Sequence, residues 1–322
     1  MAETTDVSVI IPAYRNAGTI GRALASIAAQ TRLPRQVIVV DDGSDDATFE
    51  AAEACRPLFG DTRLSVLRQD NAGAGAARNA AIAQAEGCWL AFLDADDEWL
   101  PGKLAASLSH LEATELLFAS HDMEVLSPDG SSVVFDCARH FRAAADPFSA
   151  LFLRGFVATS TVVARRDAVV AAGGFEISLR AAQDYDLWLR LAAKGSFTVF
   201  AGALTRYHSN PQGITANVER RRRCSLAVLE RNRSALTGRA VHPWLVAAQR
   251  LAVIHYEAAN ALRGQKRPWA ALGAASRLIP ETFAAFPHTS AMALWFWVVG
   301  VFLGYLVQFD TMAARLLTLA GQ

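Results

Sequence analysis

Cysteine is scarce in this chain. Cys55, Cys88, Cys137 and Cys224 are the four among 322 residues, and no two have metal-ligand spacing. That excludes a zinc ribbon and a disulfide framework, and the four read as reduced thiols of a cytosolic protein. An excess of either charge is also missing: 31 basic residues balance 31 acidic ones. Overall charge therefore implies no nucleic-acid partner. Charged residues make up 19%, below the usual rough quarter. The deficit gathers toward the C-terminus, which is where membrane contact is to be sought. The polar, acidic stretch Met1 to Asp6 lacks a basic start, and Val7–Ile11 is too short for a signal-peptide core. The expectation is an N-terminal part that stays in the cytoplasm. The length suffices for one large domain, or one domain with an appendage.

What is present is order. Val7–Ile11, Val37–Val40, Leu64–Leu67 and Trp89–Leu93 read as short buried strands. Ala17–Gln30, Asp45–Pro57 and Ala74–Glu86 between them read as helices. The acids at the start of the second helix suit its dipole. Strands alternating with helices predict an α/β fold with a mainly parallel sheet covered on both faces. From Thr114 to Phe135 the pattern turns to shorter strands with a Pro128-Asp129-Gly130 turn. Thr159–Ala164 reads as a further strand and Gln183–Ala193 as a helix stopped at Lys194-Gly195. Strands at Phe197–Phe200 and Leu204–Tyr207 close this mixed region. After about Asn210 the pattern is helical only: roughly 216–238, 242–264 and 267–279. An apolar segment, Ala291–Phe309, and a short amphipathic tail, Met312 to Leu319, follow. The expected division is a first domain over 1–210 and a helical region over 211–322. No internal repeat is present.

Polar clusters follow each of the first four strands. They are Pro12 and Tyr14; Asp41 to Ser44; Gln69 to Arg78; and Asp94, Asp96 and Asp97. Ligands of open α/β sheets bind outside the carboxyl ends of the strands, so the four clusters are expected to form one site. Asp94 and Asp96 alternate in an extended segment and point the same way. Two carboxylates on one side suit Mg²⁺ or Mn²⁺, hard cations that also bind substrate phosphates. The bland alternative is a solvated loop capping the helix near Pro101. Directly after a buried strand, an acidic triplet favours the cation.

Five stretches, in order, resemble glycosyltransferase family 2. They are VSVIIPAYRN at 7–16, VIVVDDGSDDAT at 37–48, DNAGAGAARNAAI at 70–82, LAFLDADDEWLPGKL at 90–104 and AAQDYDLWLRLAAKG at 181–195. The resemblance covers roughly residues 7 to 210. It implies a GT-A fold and an inverting, metal-dependent transfer of sugar from a nucleotide-diphosphate donor, UDP-sugars being the default. The acceptor it implies is a glycan or lipid-linked hydroxyl, in cell-envelope polysaccharide synthesis. It further implies that Pro12 and Tyr14 lie against the base and ribose, that Asp42 accepts from the base with Asp41 beside it, and that Arg78 approaches the diphosphate or base edge. Asp94, Asp96 and Asp97 would hold ribose, metal and diphosphate, with Asp96 foremost on the metal. In related enzymes a histidine near position 208 can complete the metal site, which makes His208 a candidate ligand; a packing histidine is the alternative. An Asx turn before Gly43 is the alternative for Asp41 and Asp42, compatible with binding.

Asp184 is the candidate catalytic base. Residues 184, 187, 188 and 191 share one helix face, and Leu187, Trp188 and Leu191 make that face apolar. Partial burial would push the carboxyl up toward working pH, while the helix N-terminus pulls it down. A simple N-cap is the alternative. Asp186 lies about 200° around the helix at about 100° per residue and reads as a helix-end charge. The family often has Glu before the base, where this chain has Gln183.

Other features divide the same way. Gly73-Ala74-Gly75-Ala76-Ala77 superficially resembles a dinucleotide fingerprint, but the first strand lacks a glycine-rich turn and the acidic triplet would go unexplained. These glycines suit a close backbone approach to the donor. The basic run Arg220–Arg223, with Arg231 and Arg233, reads as a solvated helix face; anionic head groups or a lipid diphosphate are the alternative. Ala291–Phe309 carries no charge and, at about 1.5 Å per residue, nearly spans a hydrocarbon core of about 30 Å. A buried or membrane-surface helix is its alternative. The expected location is the inner face of the cell membrane, with the catalytic part in the cytoplasm. Rival functions are a nucleotidyltransferase on a similar sheet and an inactive membrane-attached scaffold.

Overall fold

The computed structural model describes residues 3–209, 217–239, 242–277 and 281. They fall into two compact units, one of residues 3–151 and 155–209, the other of residues 152–154 and 217 onward.

The first unit is built on one sheet. Its strands are β1 (Glu3–Ala13), β2 (Arg32–Asp41), β3 (Arg63–Arg68), β4 (Trp89–Phe92), β5 (Glu98–Trp99), β6 (Phe118–Leu126), β7 (Ser132–Phe135), β8 (Val163–Arg165) and β9 (Phe197–His208). Their order is β3-β2-β1-β4-β8-β6-β9-β5, with β7 on β6. β1 pairs in parallel with both β2 and β4, and β2 with β3. Beyond β4 the sheet is mixed: β8 runs antiparallel to β4 and β6, while β6 and β9 are parallel. β1 is covered on both faces, so Val7, Val9, Ile10 and Ile11 are all buried. That is why Val7–Ile11 is apolar on both faces, apart from the buried Ser8, rather than alternating.

Helices cover the sheet. They are α1 (Ile20–Ala28), α2 (Thr48–Ala54), α3 (Ala74–Ala83), α4 (Lys103–Leu111), α5 (Cys137–Arg142), α6 (Pro147–Arg154), α7 (Arg166–Ala171) and α8 (Gln183–Lys194). α1 buries Ile20, Ala23, Leu24 and Ile27, the i, i+3, i+4, i+7 stripe of an amphipathic helix. On one face these join Leu104, Leu108 and Leu111 of α4 in a single core. An aromatic cluster seats α8: Trp188 meets Phe92 of β4 at 5.4 Å, Phe118 at 5.9 Å and Phe175 at 6.1 Å between ring centroids. Such edge-on and tilted contacts hold ring orientation as well as area. α8 is thereby fixed to the strand that leads into Asp94.

Lys103 opens α4 fully buried. Its Nζ lies 4.1 Å from the Trp99 ring centroid and 3.5 Å from the Val162 carbonyl. Burial pushes this amine well below the usual lysine range.

Two strand expectations change. Thr159–Ala164 is not one strand but a 3₁₀ turn, Thr159–Thr161, followed by β8. The hydroxyls explain it. Those of Thr159 and Ser160 reach other segments, and Thr161 Oγ1 donates to the Ala158 carbonyl at 2.8 Å, the local bonding that competes with a ladder. Phe197–Phe200 and Leu204–Tyr207 are one continuous strand, β9, which passes through Gly202 at φ 121° opposite a register shift in β6. β5, α5, α6 and α7 carry no reading in the sequence.

The second unit contains α9 (Val218–Asn232), α10 (Pro243–Gly264) and α11 (Pro268–Ser276). His255, fully buried, lies with Nε2 2.9 Å from Glu281, which also takes Arg222 at 3.0 Å. Arg222 is thus a packed member of the basic run, while Arg220 and Arg223 keep the character of a surface face. The apolar segment at 291–309 and the tail at 312–319 lie outside the described residues. No described helix is long and apolar enough to cross a membrane.

Candidate active site

The four polar clusters stand at the carboxyl ends of β1, β2, β3 and β4, which all point one way. After β1, Pro12 is buried and Tyr14 is 43% exposed. Arg15 adopts φ 55°, lies over the Tyr14 ring at 5.2 Å and pairs with Asp45 at 2.7 Å. After β2, Asp41 accepts the amide of Ser44, three residues on, at 3.1 Å and lies 3.3 Å from Arg68. Asp42 faces the next loop. It accepts Gln69 Nε2 at 2.7 Å and the amides of Ala72 and Gly73 at 2.8 Å each. Its carboxylate therefore organises the entry to α3. Gly43, at φ 73°, permits this: a Cβ there would stand 2.9 Å from the Asn71 nitrogen.

The acidic loop follows β4. Arg78, buried in α3, donates to Asp94 Oδ1 at 2.5 Å and lies over the Phe175 ring at 5.1 Å. Asp94 and Asp96 are partly exposed on either side of buried Ala95, and Asp97 is buried. Burial, and then the charge of Asp94, push the Asp96 carboxyl up to about 6. The same two causes raise Asp97 well above the ordinary range. Arg22 holds the loop from below through the Asp96 carbonyl at 2.6 Å.

Two adjacent residues join this loop to α8. Ser160 Oγ donates to Asp97 Oδ2 at 2.5 Å and accepts the Asp94 amide at 3.1 Å. Thr159 Oγ1 donates to Asp184 Oδ2 at 2.8 Å. The turn is itself anchored, since the Ser160 carbonyl accepts Trp99 Nε1 at 2.7 Å and Thr205 Oγ1 at 3.1 Å. Asp184 thus stands one turn residue away from the acidic loop. It does not serve as the N-cap of α8: Ala182 occupies that position at φ 57° with no side-chain cap.

Among the described residues no group of three or more His, Cys, Asp or Glu side chains is arranged to hold a metal ion. The His208 ring lies 3.4 Å from Glu98, and its amide donates to Asp97 at 3.3 Å. The structure therefore brings Asp94, Asp96 and Asp97 together with Asp184 and leaves the His208 imidazole on Glu98. Two partly exposed carboxylates in one loop, Asp94 and Asp96, still fit a hard cation that takes one or two protein ligands and completes its shell with phosphate and water. Burial is the larger cause of the upward push on Asp96 and the Asp94 charge the second, and a cation would relieve the second.

Asp186 corrects the sequence reading. It lies in the first turn of α8, as expected, but is more than a helix-end charge: it is 0% exposed and bound to Arg190 at 2.8 Å. Arg190 also donates to the Ala172 and Gly174 carbonyls at 2.5 and 2.7 Å. Sequence reasoning missed Thr159, Ser160, Trp99 and Arg22. The only signal for the first two was a run of three hydroxyl residues, common in any strand.

The chain is similar to a series of known proteins. The profile described as Glycosyl transferase family 2 matches residues 8–125, and that described as Glycosyl transferase family group 2 matches 89–312. Amylovoran biosynthesis glycosyltransferase AmsB of Erwinia amylovora is 32% identical over 211 residues, 62% of this chain and 69% of AmsB. Succinoglycan biosynthesis protein ExoO of Rhizobium meliloti is 40% identical over 40% of this chain and 36% of ExoO. The UDP-Glc:alpha-D-GlcNAc-diphosphoundecaprenol beta-1,3-glucosyltransferase WfgD of Escherichia coli is 35% identical over 38% of this chain and 47% of WfgD. The chain spans under half the length of ExoO and of WfgD. Among solved structures, S. aureus TarS 1-349 in complex with UDP-GlcNAc superposes with TM-score 0.66 at 20% identity, over 92% of this chain and 89% of that one. Mannosyltransferase PcManGT of Pyrobaculum calidifontis, with GDP-Man and Mn²⁺, gives 0.60 at 20% identity, over 94% and 87%. These likenesses fix the architecture, and the sequence matches fix the lineage: the chain has the GT-A fold and belongs to glycosyl transferase family 2.

Proposed function

We propose that this chain transfers a sugar, with inversion, from a nucleotide-diphosphate donor to a hydroxyl of a glycan or lipid-linked acceptor in cell-envelope polysaccharide synthesis. The observation that carries the reading is the Thr159-Ser160 turn, which bonds Asp184 with one hydroxyl and Asp97 with the next. A proton acceptor and a phosphate-side acidic loop then stand on one rim. The relatives' names support the process: succinoglycan, amylovoran and a diphosphoundecaprenol-linked acceptor. A UDP-sugar is favoured because WfgD is named for UDP-Glc and TarS was solved with UDP-GlcNAc.

In this reading Pro12, Tyr14, Asp41 and Asp42 shape the nucleoside side of the pocket, and Arg78 and Asp97 the diphosphate side. Asp94 and Asp96 would hold a divalent cation, Mg²⁺ or Mn²⁺, which supplies positive charge to the departing nucleoside diphosphate; PcManGT was solved with Mn²⁺. Asp184 takes the proton of the acceptor hydroxyl as that oxygen bonds to the anomeric carbon and the bond to the diphosphate breaks. A single displacement inverts that carbon. Residues 1–210 carry this chemistry. The helical region after 210 provides contact with the inner face of the membrane, where a cytoplasmic donor meets a lipid-linked acceptor.

The test is a panel of UDP-, dTDP- and GDP-sugars with Mn²⁺ and an undecaprenyl-diphosphate-linked sugar acceptor, reading nucleoside diphosphate release. Asp184→Asn is expected to abolish transfer and retain donor binding. Release of pyrophosphate, or no donor binding at all, refutes the proposal.

A further inference from the structure

Asp184 sits in the first turn of α8, half-buried, with one oxygen engaged. Oδ2 accepts the Thr159 hydroxyl. Among the described residues it has no other hydrogen-bond partner. An aspartate so placed retains rotation about its terminal torsion, which is broad for carboxylates. A single well-held donor removes that freedom, and Thr159 is well held. It is buried, and both residues that follow it are tied. Ser160 is fixed through its hydroxyl and its carbonyl. Thr161 Oγ1 lies 2.6 Å from Ser120 Oγ.

We infer that Thr159 is a positioning residue for Asp184: its hydroxyl occupies Oδ2, fixes the plane of the carboxylate and leaves Oδ1 as the oxygen that receives the acceptor's proton. The inference rests on the reading of Asp184 as base. Thr159 keeps its own proton throughout; the acceptor's proton ends on Oδ1 and the acceptor oxygen on the anomeric carbon. The shared turn has a further effect. Because Thr159 and Ser160 are consecutive, the distance from the base to the acidic loop is set by one peptide unit rather than by two independent loops. Proton removal and leaving-group departure are thereby held in register.

The experiment uses the full chain, Mn²⁺ and the donor and acceptor selected by the panel above. It compares Thr159→Val, Thr159→Ser and Asp184→Asn. Misplacing a reacting group by about 1 Å costs about 100-fold in rate, so Thr159→Val is expected to lower kcat by ~10–100-fold. Its KM for donor should stay within about twofold, since neither Thr159 nor Asp184 belongs to the donor-binding side of the site. Thr159→Ser should restore kcat. If the valine variant fails to fold, Thr159→Ala replaces it. Wild-type kcat in the valine or alanine variant overturns the inference, as does a serine variant equally impaired. An inactive Asp184→Asn beside a fully active Thr159→Val removes the positioning role alone. An active Asp184→Asn removes the base itself.

Discussion

Ser160 gives its hydroxyl proton to Asp97 at 2.5 Å while the same oxygen receives the Asp94 amide at 3.1 Å. One side chain therefore fixes both ends of the acidic loop. Ser160→Ala removes the donor and leaves a buried carboxylate short of one partner, which costs about 1–3 kcal/mol. The expected result is a lower urea midpoint, together with about tenfold weaker Mn²⁺-dependent donor binding by calorimetry. A variant with unchanged midpoint and unchanged affinity would show that Trp99 and Arg22 hold the loop without it.

Asp96 gives a pH dependence of definite sign. Its carboxyl is pushed from 3.8 up to about 6, so between these values the folded chain binds more protons than the unfolded one. Stability from this group is then greatest at low pH and is lost as pH rises through about 6. At about 1.4 kcal/mol per unit the swing is on the order of 2–3 kcal/mol, an upper figure for a partly exposed group. A divalent cation opposes the loss. Mn²⁺ is expected to raise Tm more at pH 7 than at pH 5, and Asp96→Asn to abolish the difference. The same Mn²⁺ shift in Asp96→Asn as in the parent would place the cation elsewhere.

His121 works in the opposite direction. It is fully buried, with Nδ1 2.7 Å from the Asp122 carbonyl, and burial, then Lys103, drive it down to about 3 from 6.5. The unfolded chain binds the extra proton, so stability is intact above about 6.5 and declines as pH falls toward 3. At pH 5 the loss is about 2 kcal/mol. His121→Gln should remove this contribution, so that its urea midpoint falls less from pH 7 to pH 5 than the parent's does, or rises. The opposing slopes of Asp96 and His121 overlap, so the two variants must be measured separately.

Asp184 and Asp186 are neighbours with different consequences. Asp186→Asn disrupts a buried pair with Arg190 and through it the support of the Ala172 and Gly174 carbonyls; breaking such a pair costs on the order of 3–5 kcal/mol. Asp184→Asn keeps a group able to meet Thr159 and should melt within about 1 kcal/mol of the parent, the scale of a half-exposed hydrogen bond. Thermal melts of the two variants decide the matter. Equal destabilisation would mean that Asp184 is structural.

Much of the sheet unit was legible because β1, β2 and β4 each contain a short, largely apolar run and all four strands end in a polar cluster. The parallel order of these strands then follows, with the shared rim as its corollary. The Thr159-Ser160 turn was not legible, because the partner of Ser160 lies 63 residues away in the chain and hydroxyls carry no periodic signal. Asp186 misled for a related reason. Periodicity sets it off the apolar stripe, yet the segment carrying Ala172 and Gly174 closes over that side with Arg190. Asp42 illustrates a third limit: a motif marks the position, while its partners in the Gln69–Gly73 loop emerge only from the fold.

Lys103 has one more consequence. Of the chain's three lysines, Lys194 and Lys266 are exposed, whereas Lys103 is sealed beneath Trp99. An amine-acylating reagent will modify the first two at once and the third only when α4 lifts from the sheet. Mass spectrometry of that single late label would time the opening of the floor on which Ser160 rests, giving the protein an intrinsic clock for its own breathing.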